Sequence, residues 1–169
     1  MAWELLVYRL PNCLTVSLLQ LLEIRIKWTS VCSFGADFAV NHRESDWYKK
    51  VREITNKQGV DVIFEHIGKS TFPQELSLLK MGGTLVSTGA TTGYDSTIDL
   101  RYLFFKGINL LGATQGTKAG LEEVIRWVSE GKIRPIIDTI LPFSNMVEGH
   151  VKMAESQLFG KILTTPQKL

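Results

Sequence analysis

From about Gly35 onward, the hydrophobic and polar residues of this chain follow a strand-type pattern and a helix-type pattern in turn. Short apolar runs typical of strands are separated by stretches with apolar residues at helical spacing. The run Val60–Phe64 is apolar at four of five positions, which predicts a strand covered on both faces. The stretch Thr117–Glu130 carries an apolar stripe at Leu121, Val124, Ile125 and Val128, and Gly131 follows it. This pattern predicts an amphipathic helix that ends at the glycine.

The same patterns predict the other elements from Gly35 to the end of the chain. Strands are predicted at Phe38–Val40, Thr84–Thr88, Ile108–Leu111, Ile136–Ile140 and Lys161–Thr165. Helices are predicted after Ser45 and Asp46, after a capping box at Thr71–Gln74, from Asp99 to Phe105, and around Val147, Val151 and Ala154. The second of these helices is expected to bury Leu76, Leu79 and Met81 and to stop at Gly82–Gly83. Strands alternating with such helices favour an α/β fold, a Rossmann-like doubly wound parallel sheet.

The first 34 residues follow a different pattern. Glu4–Leu10 is compatible with a strand, Leu14–Leu22 with a helix and Glu23–Trp28 with a half-exposed strand. These elements would form a βαβ unit whose first turn, Pro11-Asn12, contains no glycine. We therefore divide the chain into an atypical amino-terminal segment, residues 1–34, and a domain comprising residues 35–169.

Composition excludes several classes of protein. The net charge is only +2 without a basic run, which gives no electrostatic reason to expect nucleic acid or membrane lipid as a partner. The early apolar run Leu14–Leu22 is too short to span a bilayer, and no secretory signal is recognisable, so we expect a cytoplasmic protein. The two cysteines and three histidines show no ligand spacing, and no metal site is expected; these residues are Cys13, Cys32, His42, His66 and His150.

Candidate chemistry lies where the predicted strands end. The segments Glu65–Gly68, Thr88–Gly93 and Gly112–Gly116 all contain glycine, and the last two contain threonines. Open parallel sheets bind ligands at the carboxyl ends of their strands. Glycine allows close approach to the backbone, and threonine hydroxyls can bind sugar or phosphate oxygens. Glycines also end strands for structural reasons, so three such segments on successive strands carry more weight than any one.

Three ionisable residues near these ends need no catalytic role. We interpret Asp61 and Glu65 as solvated strand-end charges rather than an acid–base pair. His66 is interpreted as a polar loop residue rather than a catalytic acid.

Several short motifs together resemble the medium-chain dehydrogenase/reductase superfamily, in the branch that holds zinc-type alcohol dehydrogenases and quinone oxidoreductases. The motifs run from Gly35 to Pro166 and are Gly35-Ala36-Asp37, Gly59–Phe64, Met81–Val86 with Gly89, Leu110–Thr114, Gly131–Pro135 and Phe159–Leu163. The resemblance identifies residues 35–169 with a coenzyme-binding domain and its carboxyl-terminal return segment.

The resemblance implies binding of NAD or NADP, with NADP slightly favoured, and hydride transfer between nicotinamide and an alcohol, carbonyl, enone or quinone. It places Ile67, Gly68, Gly89, Ala90 and Thr91 along the adenosine and ribose. It places Gly112, Ala113 and Thr114 near the nicotinamide, and Lys161 within reach of the coenzyme.

Two features of the family are missing. Residues 1–34 contain no GxGxxG-type loop, where helix amides would hold the pyrophosphate, and Lys27–Ser30 offers no residue to select NAD or NADP. The catalytic domain is also missing, so we name no catalytic residue, expect no zinc bound by this chain, and expect activity only in a full-length parent. We expect residues 1–34 to come from a mis-started or frame-shifted reading. Unless they rebuild the first strand, two strands would lie unpaired.

Other functions stay open beside this one. The chain could be a non-catalytic nucleotide-binding fragment, or a fragment that forms a homodimer through the edge strand Ile108–Leu111. An expressed remnant without function is a further alternative. A methyltransferase is disfavoured, because the segment Gly131–Leu163 resembles the dehydrogenases instead.

Overall fold

The computed structural model describes residues 4–9, 16–22, 35–155 and 158–166. The backbone separates into two compact units, one ending at Thr114 and the other beginning at Gln115. The predicted turn at Pro11-Asn12, the predicted strand Glu23–Trp28 and both cysteines lie outside the described residues.

Within its described residues, the first unit contains a six-stranded sheet and three helices. Its strands are β1 (Glu4–Arg9), β2 (Val16–Leu22), β3 (Phe38–Asn41), β4 (Val60–Glu65), β5 (Leu79–Ser87) and β6 (Asn109–Gly112). Its helices are α1 (Trp47–Ile54), α2 (Phe72–Leu78) and α3 (Leu100–Lys106). The strand order is β3-β2-β1-β4-β5-β6, in which β4, β5 and β6 run parallel. The α/β, Rossmann-type fold is therefore confirmed.

The amino-terminal strands occupy the centre of this sheet as an antiparallel pair. β1 pairs antiparallel with both β2 and β4, and β2 pairs parallel with β3. The prediction of a helix at Leu14–Leu22 was wrong, because Val16–Leu22 is a strand held by ladders on both sides. A βαβ unit does not form there. The expected unpaired edges are also absent among the described strands, since the hairpin fills the gap between β3 and β4.

The core of the first unit lies between the sheet and its three helices. The fully buried side chains include Val51 on α1, Leu76 on α2, and Ile63 and Leu85 in register on β4 and β5. All three helices pack against this one cluster. That β4 is covered on both faces stays a prediction, because Ile63 and Val60 are fully buried whereas Phe64, on the face opposite Ile63, is 43% exposed.

Helix α2 is shorter than the sequence predicted. It ends at Leu78, so Leu79 begins β5 and Met81 is a strand residue that is 74% exposed. The two glycines at 82 and 83 lie within β5 and do not stop the helix. The capping box is also wrong, because Thr71 makes no side-chain cap and its hydroxyl instead donates to the Gly68 carbonyl at 3.5 Å.

The second unit contains two helices and a parallel strand pair. These are α4 (Lys118–Ser129), β7 (Ile137–Pro142), a 3₁₀ turn (Phe143–Asn145), α5 (Met146–Ala154) and β8 (Lys161–Thr165). Thr117 caps α4 by accepting from the Gly120 amide at 3.1 Å. The predicted helix is confirmed, but its apolar stripe is not covered, since Leu121 is 60% exposed. Asp138 binds Lys152 and the Phe159 amide, which joins β7 to α5 and to the residues before β8.

Candidate functional site

The three glycine-bearing segments lie side by side at one edge of the sheet. Glu65, Ser87 and Gly112 are in register at the carboxyl ends of β4, β5 and β6. The segment after each strand therefore starts from the same edge. Because carboxyl ends of parallel strands are where open α/β sheets bind ligands, we call the segments 65–68, 87–93 and 112–114 the candidate coenzyme edge.

The first two segments hold each other through hydrogen bonds. The Thr91 amide and hydroxyl both donate to the His66 carbonyl, at 3.3 and 2.8 Å. The Thr92 amide and hydroxyl both donate to the Ile67 carbonyl, at 2.7 and 2.8 Å. The threonine hydroxyl hydrogens thus order the loops, which leaves their oxygens able to accept but not to donate to a ligand.

One glycine is required by this packing, and a second is closely packed. Gly68 has φ +88°, and a Cβ there would stand 2.6 Å from the Gly93 carbonyl oxygen and 2.9 Å from the Ala90 Cα. A Cβ at Gly89 would stand 3.3 Å from the His66 carbonyl oxygen. Gly68 therefore allows the two loops to approach at backbone distance, which a side chain there would prevent, whereas at Gly89 a Cβ would need a shift of its neighbour by a few tenths of an ångström.

The surroundings of Gly112 differ from those of Gly68 and Gly89. A Cβ built on Gly112 meets nothing within 4 Å, and its φ lies outside the left-handed region. Neither packing nor backbone conformation requires a glycine here. The small residue instead leaves open space next to the exposed residues Ala113 and Thr114 at the end of β6.

Some backbone donors of this edge face no protein acceptor. The Ala113 amide donates to the Ser87 carbonyl at 2.9 Å. Among the described residues, no hydrogen bond is made by the amides of Gly89, Ala90 and Thr114, and all three residues are exposed. Exposed amides at strand ends are donors that sugar or phosphate oxygens can use. A dinucleotide therefore fits the chemistry of this edge.

The interpretation of Glu65 as a solvated charge was wrong. Its side chain is 0% exposed, its carboxylate accepts from the Gly68 amide, and the Ser87 hydroxyl donates to it at 2.8 Å. The carboxylate thus joins the end of β4 to the loop after it and to β5. Sequence reasoning missed this role, although the serine in register on the neighbouring strand was a signal for a donor.

The other singled-out residues are distributed as follows. Ile67 is buried at 1% exposure beneath the loops, where its backbone carbonyl, not its side chain, meets Thr92. His66 is half-buried. The interpretation of Asp61 as a solvated strand-end charge was wrong, because Asp61 is half-buried and ion-paired with Lys80. Lys161 lies on β8 in the second unit and is exposed.

One exposed ion pair borders the edge. Lys69 and Asp95 approach to 2.6 Å, with side chains 55% and 66% exposed, so this pair contributes little to stability. Within residues 35–155 and 158–166, no group of three or more histidine, cysteine, aspartate or glutamate residues is arranged to hold a metal ion. In the same part of the chain, no helix has the length and apolar content required to cross a bilayer.

Comparison with known proteins confirms the resemblance found in the sequence. The family model described as "Zinc-binding dehydrogenase" matches residues 24–130. A crotonyl-CoA carboxylase/reductase of Cereibacter sphaeroides is 29% identical over 121 residues, which is 67% of this chain and 28% of the relative. An acryloyl-coenzyme A reductase of Sulfurisphaera tokodaii is 28% identical over 133 residues, which is 78% of this chain and 38% of the relative.

A solved structure supports the same resemblance. The crystal structure of an NAD-dependent alcohol dehydrogenase superposes with a TM-score of 0.74 and 32% identity, covering 83% of this chain and 41% of that one. The chain spans less than half the length of each of these three proteins.

Proposed function

This chain belongs to the zinc-binding dehydrogenase family, and we infer that it forms the coenzyme-binding part of an NAD(P)-dependent oxidoreductase. The single observation that carries the proposal is the candidate coenzyme edge, where three parallel strands end in register and the loops after the first two pack at backbone distance. The substrate is an alcohol, a carbonyl compound or a conjugated enone, quinone or enoyl thioester. The named activities of the relatives, on enoyl-CoA compounds and on alcohols, support this range.

A bound nicotinamide supplies the hydride donor or acceptor of such a reaction. The residues of this chain bind and orient it. The amides of Gly89 and Ala90 donate to the adenosine ribose or its phosphate, beside Ile67, Gly68 and Thr91. The open space at Gly112 receives a flat ring, and the Thr114 amide donates to its carboxamide.

Lys161 remains the least supported member of the proposed set. Its exposed side chain on β8 is compatible with contact to a phosphate of the coenzyme. We keep it as a proposed coenzyme ligand whose test is the substitution Lys161→Gln, with loss of affinity expected and unchanged affinity counting against the assignment.

The proposal is tested by blocking the open space at Gly112. Because a Cβ there meets no atom within 4 Å, Gly112→Leu adds bulk without disturbing the packing. We expect calorimetric titration of the unmodified chain with NADPH and NADH to show micromolar affinity, about −8 kcal/mol. Gly112→Leu is expected to weaken that affinity at least about tenfold, which corresponds to about 1.4 kcal/mol.

A matched control lies on the same strand. Asn109 is exposed at the amino end of β6, away from the candidate coenzyme edge, so Asn109→Leu tests the effect of an exposed leucine on β6 at a position where it adds no heavy atoms. The control should bind coenzyme like the unmodified chain. Equal affinities for all three proteins, or an absence of binding by the folded chain, would contradict the proposal. The coenzyme that binds more tightly decides between NAD and NADP, for which we propose NADP.

A second function is favoured by the outer edge of the sheet. β6 is the last strand of the six-stranded sheet, and its Leu111 is 53% exposed. Exposed apolar edge strands pair readily with a second copy. A homodimer formed through this strand, without turnover, is therefore the alternative. Sedimentation showing a dimer that Leu111→Lys dissociates would support it, and a monomer at high concentration would exclude it.

We propose a cytoplasmic location, which rests on the sequence features given above. We also propose that zinc, if the parent enzyme uses it, is held outside this chain, in agreement with the residue types present here.

A further inference from the structure

A cavity of about 140 Å³ opens at the edge of the sheet opposite the candidate coenzyme edge. It is formed by the turn between α1 and β4, the end of α2, and the first residues of β5. β4 has six residues, so at about 3.3 Å per residue the cavity lies roughly 17 Å from the candidate coenzyme edge. The cavity and the coenzyme edge are therefore separate sites.

Four cationic side chains line this cavity: Arg52, Lys57, Lys80 and Lys106. Lys80 is ion-paired with Asp61. Within the described ranges, no carboxylate forms an ion pair with any of the other three. Arg52 and Lys57 are exposed, so both side chains can turn toward a bound group. We call these four residues the basic cavity.

Lys106 holds the best-defined position in the basic cavity. Its ammonium donates to the Ser77 carbonyl at 2.8 Å and to the Leu79 carbonyl at 2.7 Å. An ammonium has three donors, so one remains for a ligand. Burial lowers the pKa of Lys106, and the charge of Arg52 lowers it further. The two cations therefore repel each other, and an anion between them would relieve that repulsion.

The carboxyl ends of helices account for part of this positive charge. Helices α1, α2 and α3 all end near this edge, and a helix carboxyl terminus carries about −0.5 charge at most, so three of them contribute about −1.5. The four cations less the carboxylate of Asp61 give +3. Helix ends therefore offset about half of the positive charge. The positive charge that remains favours a bound anion.

We propose that the basic cavity binds the phosphate group of a small anion. The planar guanidinium of Arg52 matches phosphate oxygens in a two-pronged geometry, and the lysines act as point charges around it. Gly59 lines the cavity and cannot carry a side chain, since its φ is +89° and a Cβ would stand 2.3 Å from the Leu78 carbonyl oxygen. Gly59 therefore contributes only backbone to the cavity, beside the basic side chains.

The test is a titration of the ¹⁵N-labelled chain at low ionic strength, followed by amide chemical shifts. One arm uses inorganic phosphate and the other uses ribose 5-phosphate. We expect saturable shifts at Lys57, Gly59 and Lys80 in at least one arm, and little change at the candidate coenzyme edge. Tighter binding of the ester would identify an organic phosphate as the ligand, and tighter binding of phosphate would identify the free ion.

A charge-matched pair of variants makes the test specific. Arg52→Gln with Lys57→Gln removes two exposed cations of the basic cavity, and Lys49→Gln with Lys118→Gln removes two exposed cations elsewhere. The cavity variant should lose affinity about tenfold or more, and the control should change little. Thermal unfolding without phosphate checks that both variants fold. Absence of saturable shifts, or equal losses in both variants, would overturn the proposal, and neither result depends on coenzyme binding.

Discussion

The strongest stability prediction concerns the buried carboxylate of Glu65. Its side chain is 0% exposed and accepts hydrogen bonds from the Gly68 amide and the Ser87 hydroxyl. Glu65→Ala removes both acceptors at once. The amide of Gly68 then stays buried without a partner, because Gly68 is itself buried and its φ of +88° fixes the loop.

The magnitude follows from these two bonds. A hydrogen bond to a charged group contributes about 1.5–3 kcal/mol, and a buried unsatisfied donor costs about 1–3 kcal/mol. Part of this overlaps, so we expect Glu65→Ala to lower the free energy of unfolding by about 3–5 kcal/mol. Glu65→Gln keeps one acceptor oxygen for the Gly68 amide, and we expect it to cost about 1–2 kcal/mol.

Hydrogen exchange of core amides on β4 and β5 measures this free energy within the first unit alone, unlike a global unfolding signal. The amides of Ile63 and Leu85 are suitable, because both side chains are buried at 1% or less. An exposed glutamate on α1 gives the control, and Glu53→Ala should change stability by no more than about 0.5 kcal/mol. If Glu65→Ala is as stable as Glu53→Ala, or Glu65→Gln loses as much as Glu65→Ala, the carboxylate does not hold the loops.

Further substitutions test other parts of the structure. Gly68→Ala should destabilise by more than about 2 kcal/mol, because its Cβ would stand 2.6 Å from the Gly93 carbonyl oxygen; normal urea unfolding would contradict this. Burial raises the pKa of Asp138, but hydrogen bonds led by that from Lys152 outweigh it and lower the pKa overall. The stability from this pair is therefore present above the unfolded pKa of about 3.9 and is lost as pH falls through the lower folded value. Asp138→Asn should remove that acid dependence in a pH series of unfolding, and an unchanged pH profile would refute the pairing. Lys106→Met should cost about 1–3 kcal/mol, since two carbonyl oxygens at the end of α2 lose their donor; a change below 0.5 kcal/mol, measured by hydrogen exchange, would argue against that role.

The sequence predicted the parallel half of the sheet well, for a physical reason. The apolar runs that become β4, β5 and β6 are short and bounded by glycine, serine or asparagine, which leaves few alternatives to strands. The amphipathic spacing of Thr117–Glu130 likewise predicts a helix, and the structure has that helix at Lys118–Ser129.

The amino-terminal hairpin could not be predicted in the same way. The residues Val16–Leu22, with four leucines, suit a helix by intrinsic preference as well as a strand. Their conformation is decided by ladders to β1 on one side and β3 on the other, and β3 is distant in sequence. The prediction of where α2 ends was wrong for a related reason, because the pairing of Leu79 with Val60 extends β5 at the expense of the helix.

The candidate site was predicted at the level of segments but not of contacts. Three glycine-bearing strand ends do meet at one edge, as parallel topology requires. The burial of Glu65 was missed because carboxylates are mostly exposed, and only the partner strand reveals the donor at Ser87. Whether each residue of the edge contacts coenzyme stays a prediction.

The central claim is that coenzyme binds at the carboxyl ends of β4, β5 and β6. The most direct test is an amide chemical-shift map of the ¹⁵N-labelled chain titrated with NADPH and NADH. We expect saturable shifts concentrated in residues 66–68, 88–93 and 112–114, with the amides of Gly89, Ala90 and Thr114 among the largest. A folded chain with no saturable shifts, or shifts centred on any other part of the first unit, would contradict it.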